Sequence, residues 1–442
     1  MEDYQMNKGS PKKERWILLF LGLSFAIYAL FHTSVFFEEL SLTAPVTLTM
    51  TALGLGFFCL AAVISTGMSK EEGGLFPAES HKWVVLFVLS ILLMSAVGLY
   101  LNNPIGLFYM DFEGVIILFG SILLGARRKN WEHIDKLVIL LLAYAVIVNI
   151  LSLPFIKSID RVVTESSVTN KLQVLLYPVL FYIYLFKYRV RRLDKLIIMG
   201  AFVIFIIEQI LFQKRMPSMR IIFTLLVMTY LQNITTRPSF WAYLGSIIKR
   251  VMLFFIPVVV GVLIISSTVG LKMSDSLQMF NERVTGKYGF VRNIIYDGRV
   301  YITYVVIQDL VSDYSFILGK GFGGYIIDSR LHYFVEAEGG LFNGTSSIEI
   351  GHTWPPWKGG LLFWISINAL YLSLAFSFRK YKNAYFSMVC WAFVLTHFIF
   401  LFGDNVWTGP HQFYLILLGA AIGHLLGHNS YKKFDLGGRL AL

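Results

Sequence analysis

Apolar residues in this chain fall in long runs, not at the three- and four-residue spacing of a helix with one wet face. A hydrocarbon core of about 30 Å takes roughly 20 residues of helix, and about twelve runs approach that length. They cover Trp16–Phe37, Ala44–Met68, Trp83–Leu101, Ile105–Ala126, Leu137–Phe155, Leu172–Phe186, Leu196–Phe212, Ile221–Ile234, Val251–Val269, Leu361–Phe378, Ala384–Phe402 and His411–Leu426. The first is too long for the apolar part of a signal peptide and has no small-residue cleavage site after it, so it is expected to be retained. Between the ninth and tenth runs lie about 90 residues, Gly270–Gly360, in which Tyr, Phe, Ile and Gly mix with moderate charge. The pattern predicts an all-α integral membrane protein with about 12 transmembrane helices and one large loop before the tenth. Its parts are expected at 1–269, 270–360 and 361–442, the loop folding against the helices with short surface helices of its own.

Composition strengthens this picture. The 442 residues are 56% hydrophobic, 16% aromatic and only 15% charged, with a mean hydropathy of +0.65. So few charges leave too little polar surface for a water-soluble fold or a disordered tail. The net charge of +11 is explained by topology rather than by nucleic acid. About two-thirds of the 38 Lys and Arg fall in alternate inter-span segments, among them Lys8–Arg15, Lys70–Lys82, Arg127–Lys136, Lys187–Lys195, Arg237–Arg250, Arg379–Lys382 and Lys432–Arg439. That asymmetry predicts cytoplasmic termini and an outward-facing long loop, with anionic and other membrane lipid as a partner. The two cysteines, Cys59 and Cys390, lie in apolar runs and suggest neither a disulfide framework nor a thiolate metal site.

Ionisable residues inside spans are costly and mark pathways or sites. With the predicted orientation, His32, Asp111, Glu113, Glu208, His397, Asp404 and His411 fall near the outer ends of their spans, and His424 near an inner end. Such residues either pair with neighbours or line a hydrated cavity, and their common depth points to a cavity. The short outer loop Gln213–Arg220 holds Lys214, Arg215 and Arg220 without an acid, against the charge rule. Its cations would touch lipid head groups or form an anion site, since Arg forks suit phosphate oxygens. Glu208 lies seven residues before Arg215 and would orient it on a continuous helix. Asp111 and Glu113 have the spacing of a metal-holding pair, but alternate residues of a helix point to different faces, and no metal is expected.

Three signals stand out in the long loop. Asp297-Gly298-Arg299 precedes an apolar-rich run, Val300–Tyr314, that should form a helix along the membrane surface with Arg299 at its start. Gly319-Lys320-Gly321-Phe322-Gly323-Gly324 lacks the ending and spacing of a nucleotide P-loop and reads as a flexible turn. Gly351-His352-Thr353-Trp354-Pro355-Pro356-Trp357 sets a His at the membrane boundary, in a segment stiffened by prolines and bounded by tryptophans.

Together, these features resemble the O-antigen polymerase and ligase superfamily, metal-independent membrane glycosyltransferases of the GT-C type. The resemblance runs from about Phe212 to Pro410: the basic Arg-containing loop, the large loop with its Arg-led helix and Gly-rich turn, the late His352, and Phe402-Gly403-Asp404 before the last span. Ligases usually carry Asn directly after the loop His; Thr353 stands there instead, which favours the polymerase branch. The resemblance implies a polymerase that joins undecaprenyl-diphosphate-linked repeat units on the periplasmic face of the bacterial inner membrane. Donor and acceptor are both such lipid-linked glycans, a chain-length regulator protein is a further partner, and no cofactor is needed. Arg215, Arg220 and Arg299 would bind and stabilise the diphosphate leaving group, with either Arg215 or Arg220 matching the family's arginine. His352 would be the general base, its ordinary pKa of about 6.5 suiting that task, with Glu208 and Asp404 in support. Tyr288, Phe290, Tyr301, Tyr304, Trp354 and Trp357 would stack on sugar rings or form an interfacial belt. Rival readings are the ligase, which passes the finished glycan to lipid A–core, and a flippase, which should show two related halves and short loops.

Overall fold

The computed structural model describes residues 11–36, 44–71, 76, 78–152, 196–197, 200, 227, 298–312, 315–327, 334–337, 340–345, 351–377, 385–401, 407 and 412–435. The chain divides into two compact units, one of residues 1–137 and 301–442, the other of residues 138–300. The expected spans between Leu172 and Val269 lie almost wholly outside the described residues.

The described structure is mostly helical. The elements are α1 (Pro11–Phe36), α2 (Ala44–Glu71), α3 (Ala78–Tyr100), α4 (Ile105–Gly125), α5 (Arg128–Ser152), α6 (Gly298–Ser312), β1 (Ile326–Ile327), β2 (Phe334–Ala337), β3 (Gly340–Thr345), α7 (Trp354–Phe376), α8 (Tyr385–Phe400) and α9 (Gln412–Asp435). Among the described residues, four helical stretches are long and apolar enough to cross a membrane: Leu48–Met68, Lys82–Tyr100, Ile105–Gly125 and Trp354–Phe376. Phe386–Phe400 and Gln412–Gly427 are shorter apolar helices. Hydrocarbon offers backbone groups no partners, and the helix satisfies them internally, so runs of this composition have little alternative.

The first unit centres on α4 and α9, which bury most of their surface. Their contact is made by small residues. Gly419 and Gly423 of α9 form a Gly-x-x-x-Gly step against Leu118, Ser121 and Ile122 of α4, and Gly125 of α4 meets Ala420. Lipid tails are as apolar as Leu, so helices in a membrane gain most from backbones that approach closely enough for many van der Waals contacts. A Cβ on Gly419 would sit 2.5 Å from the Leu118 carbonyl oxygen, so the approach requires glycine there. Helices α1 and α2 pack together against the same core, where the Tyr28 ring lies under Gly54 and Phe58 under Gly120.

The long-loop region is not purely helical. Strands β1, β3 and β2 form a small antiparallel sheet in that order, Ile326 facing Thr345 and Phe334 facing Asn343. Strand β1 has only two residues, and the six-residue β3, with two glycines and an asparagine, lacks the alternation that marks a strand in a hydropathy pattern. Helix α6 does form in the Arg299-led run, and Val305, Val306 and Leu310 pack with Ile326 and Trp357 into a core of their own.

Helix α7 begins at Trp354, before the expected Leu361, because it is broken. Gly360 has φ 63° and ψ −165°, a conformation that residues with a Cβ rarely adopt, and it separates a short first segment from the apolar span. The predicted boundary at Leu361 therefore falls on the kink.

Candidate functional site

The ends of several helices meet at one end of the first unit. The turn after α3 carries Asn103, whose amide Nδ2 donates to the carbonyls of Lys320 (2.9 Å) and Phe322 (2.8 Å). The Gly-rich turn is thereby fastened beside the start of α4. Helix α7 supplies the next partners. With Gly360 breaking it, the carbonyls of Trp357 and Lys358 accept the backbone N–H groups of Lys320 (2.8 Å) and Gly321 (2.9 Å). The Phe322 N–H reaches the Met94 carbonyl at 3.1 Å, and its ring packs edge-on to Phe108 and Phe112. Gly319, Gly321 and Gly323 all have positive φ, and a Cβ on Gly321 would collide with the backbone of Gly98. The expected flexible turn is instead buried and fixed, because its glycines serve close approach.

A buried ion pair anchors this turn. Asp111, on the second turn of α4, lies 2.8 Å through Oδ2 from Lys358 Nζ of α7 and accepts the Gly323 N–H at 2.8 Å. Lys358, 0% exposed, also donates to the Gly324 carbonyl at 2.5 Å and lies 4.2 Å from the centre of the Trp357 ring. Each charge thus has several partners, the condition under which burial is tolerable. Sequence reasoning singled out Asp111 but missed Lys358. The available signal was the acid itself, since a carboxylate within a span needs a cation.

Among the described residues of this set, Glu113 and His397 are likewise buried and paired, where the sequence suggested a hydrated cavity; the side chains of His32, Glu208, Asp404 and His411 lie outside the described residues. Glu113 Oε1 accepts from Tyr28 Oη of α1 at 2.8 Å, so the two carboxylates of α4 turn to different partners, as their spacing predicts. His397 Nδ1 lies 2.8 Å from Tyr414 Oη, with the Tyr371 ring 5.6 Å away. Towards the opposite end of the bundle, His424 Nε2 meets Ser387 Oγ at 3.0 Å and packs against Trp131 and Phe386.

His352 differs. It is half-buried at the mouth of α7, its backbone N–H bonded to the Leu401 carbonyl at 3.2 Å. Its Nε2 lies 3.1 Å from the Phe398 carbonyl, and its ring meets Phe398 edge-on at 5.2 Å. A carbonyl can only accept, so Nε2 carries the proton and the lone pair of the neutral ring sits on Nδ1. Burial pushes its pKa below the ordinary value, opposed by the bond to Phe398. The imidazole is therefore neutral near pH 7 and able to take a proton. Thr353 follows as the residue capping α7, and Trp354 stacks on Trp407 with ring centres 5.5 Å apart.

Of the other expected site residues, Arg299 lies in the first turn of α6, and only its backbone is described. Arg215, Arg220, Glu208 and Asp404 lie outside the described residues. Among the described residues no group of three His, Cys, Asp or Glu side chains is arranged to hold a metal ion. Compared with family models, curated proteins and solved structures, the chain matches none.

Proposed function

We propose that this protein is a membrane glycosyltransferase that joins undecaprenyl-diphosphate-linked oligosaccharide repeat units on the periplasmic face of a bacterial inner membrane. The observation that carries the reading is His352. It is a neutral, half-buried imidazole at the head of an apolar helix, with its basic nitrogen set by the bond to Phe398. Such a group takes the proton of an attacking sugar hydroxyl as the new glycosidic bond forms. The bond between the donor's anomeric carbon and the diphosphate oxygen breaks, and its electron pair leaves with undecaprenyl diphosphate. Arg299, with Arg215 or Arg220, neutralises the charge that grows on that leaving group, worth most where bulk water is excluded. The fixed turn and ion pair beside the head of α7 give the base a rigid mounting.

The test uses a strain whose surface glycan depends on this chain. Arg299→Ala and His352→Ala should each reduce long-chain glycan to single capped repeats while membrane levels of the protein hold. Near-normal chain length in both variants removes the assignment. Loss of the chain itself separates the rivals. A polymerase loss leaves one repeat on the surface, a ligase loss leaves full-length glycan on carrier lipid, and a flippase loss traps single units on the inner leaflet.

A further inference from the structure

Helix α6 carries apolar residues on two sides, with Gln308 exposed within the outer one. Val305, Val306 and Leu310 face the small core with Ile326 and Trp357, whereas Tyr304, Ile307 and Val311 lie at i, i+3 and i+7 on the other side and are 57%, 53% and 63% exposed. The chain then runs into Phe316, Ile317 and Leu318, again apolar and exposed. An aqueous loop has no reason to present so many large apolar side chains together.

The neighbours of Phe316–Leu318 indicate what covers them. The Leu361 N–H, at the start of the unbroken part of α7, reaches the carbonyls of Phe316 (3.0 Å) and Ile317 (3.1 Å). The strap therefore lies directly against a membrane-spanning helix, beside its exposed residues Leu362, Trp364 and Ile365. On a spanning helix that face meets acyl chains, and the apolar surface continues from it onto the strap and, by the chain's own course, to α6. The backbone is suited to the same surroundings. The Ser315 carbonyl accepts from Gly319 at 2.6 Å, so the carbonyls of Ser315, Phe316 and Ile317 are all engaged. Irregular backbone next to lipid is tolerated only when its polar groups are satisfied within the protein. Of the two charged residues of α6, Asp309 points elsewhere, pairing with Lys320 at 3.2 Å, and only the backbone of Arg299 is described.

We infer that the strap Phe316–Leu318 and the outer stripe of α6 at Tyr304, Ile307 and Val311 form one lipid-seated wedge, sunk into the boundary between head groups and acyl chains. It holds this part of the loop region at a fixed depth in the bilayer. The inference does not depend on the glycosyltransferase reading; a transporter with this structure would have the same wedge.

The experiment uses the full chain with Cys59 and Cys390 replaced by Ser. A single cysteine is placed at Ile317, at Ile307, at Ile365 as a lipid-facing reference or at Glu132 as a water-facing reference, and labelled with an environment-sensitive fluorophore. Each protein is reconstituted in vesicles of zwitterionic and anionic phosphatidyl lipids, with or without a lipid carrying a nitroxide high on its acyl chain. Labels at 307 and 317 should be quenched about twofold or more beyond the label at 132, and be shielded from iodide. Quenching at both positions no greater than at 132 overturns the inference. So does shielding from both quenchers, which is what a covering protein segment gives. Two labelled positions guard against one that disturbs folding, and the quenching at 365 verifies insertion.

Discussion

Removing one charge of the Asp111–Lys358 pair should destabilise the protein far more than removing both. The two groups are 2.8 Å apart, which at an effective dielectric of 20 is a gross attraction of about 6 kcal/mol. Desolvating two ions offsets most of that, so the net contribution of the intact pair is small. Asp111→Asn keeps an acceptor for the Gly323 N–H but leaves the Lys358 ammonium, 0% exposed, without its counter-charge. Lys358→Met strands the carboxylate and also frees the Gly324 carbonyl. Each single change should cost about 3–5 kcal/mol. The double variant should fall short of the sum of the two by about 2 kcal/mol or more, since neither stranded charge remains. Unfolding by SDS titration in mixed micelles measures all four proteins, and the double-mutant cycle isolates the coupling. Additive costs, or single costs below about 0.5 kcal/mol, would refute the claim that this pair anchors the turn.

Three further outcomes follow from the same geometry. Gly419→Leu should force α9 away from α4 and cost about 1–3 kcal/mol, read as a fall in thermal stability in detergent; an unchanged transition contradicts the close packing. Gly321→Ala places a Cβ against the Gly98 backbone at a φ of 71°, so it should loosen the turn and speed proteolysis of the loop region, whereas Gly56→Ala, which meets open space, should not. His352 works as a base only when neutral, and burial holds its pKa down, so the acid limb of a pH–rate profile should lie below about pH 6.5 and vanish in His352→Gln. The same shift makes its stability contribution complete above the unfolded value and lost as pH falls through the folded one; an acid limb above pH 6.5 would contradict it.

Hydropathy located the described apolar helices closely because a long apolar run has few other ways to satisfy its backbone. Ile105–Ala126 and Ala384–Phe402 were expected where Ile105–Gly125 and Tyr385–Phe400 are found. It was less accurate where a helix leaves the apolar layer: α5 starts at Arg128, nine residues before the expected Leu137, since charged residues extend a helix as readily as apolar ones. The sheet was invisible because β1 has only two residues and β3, Gly-Leu-Phe-Asn-Gly-Thr, carries glycines and an asparagine instead of an alternating apolar pattern. His352 could be singled out from its setting, but its tautomer depends on Phe398, 46 residues away. The partner of Asp111 lies on the far side of the long loop, and nothing local in either segment pairs it with Lys358. The Gly-rich turn was misjudged for a related reason. Glycine permits both freedom and close contact, and only the neighbours, here Gly98 and the carbonyls freed by Gly360, decide between them.

Those neighbours also show how the described part of the loop region is joined to the helices of the first unit. Gly360 interrupts α7 and exposes two carbonyls, which the turn takes up through Lys320 and Gly321. Two lysines then act in opposite directions. Lys358 reaches from α7 to Asp111 on α4 and to the turn at Gly324, while Lys320 reaches from the turn to Asp309 on α6. The first of these is fully buried and carries the high penalty for disruption; the second keeps 15% of the Lys320 and 22% of the Asp309 side chain exposed, so its penalty is smaller. Strength is therefore concentrated at the turn's junction with the spans. The outward link to α6 joins the Lys320–Asp309 pair to the apolar packing of Val305, Val306 and Leu310 with Ile326 and Trp357. His352 is held separately, at the mouth of α7, by its bonds to Phe398 and Leu401.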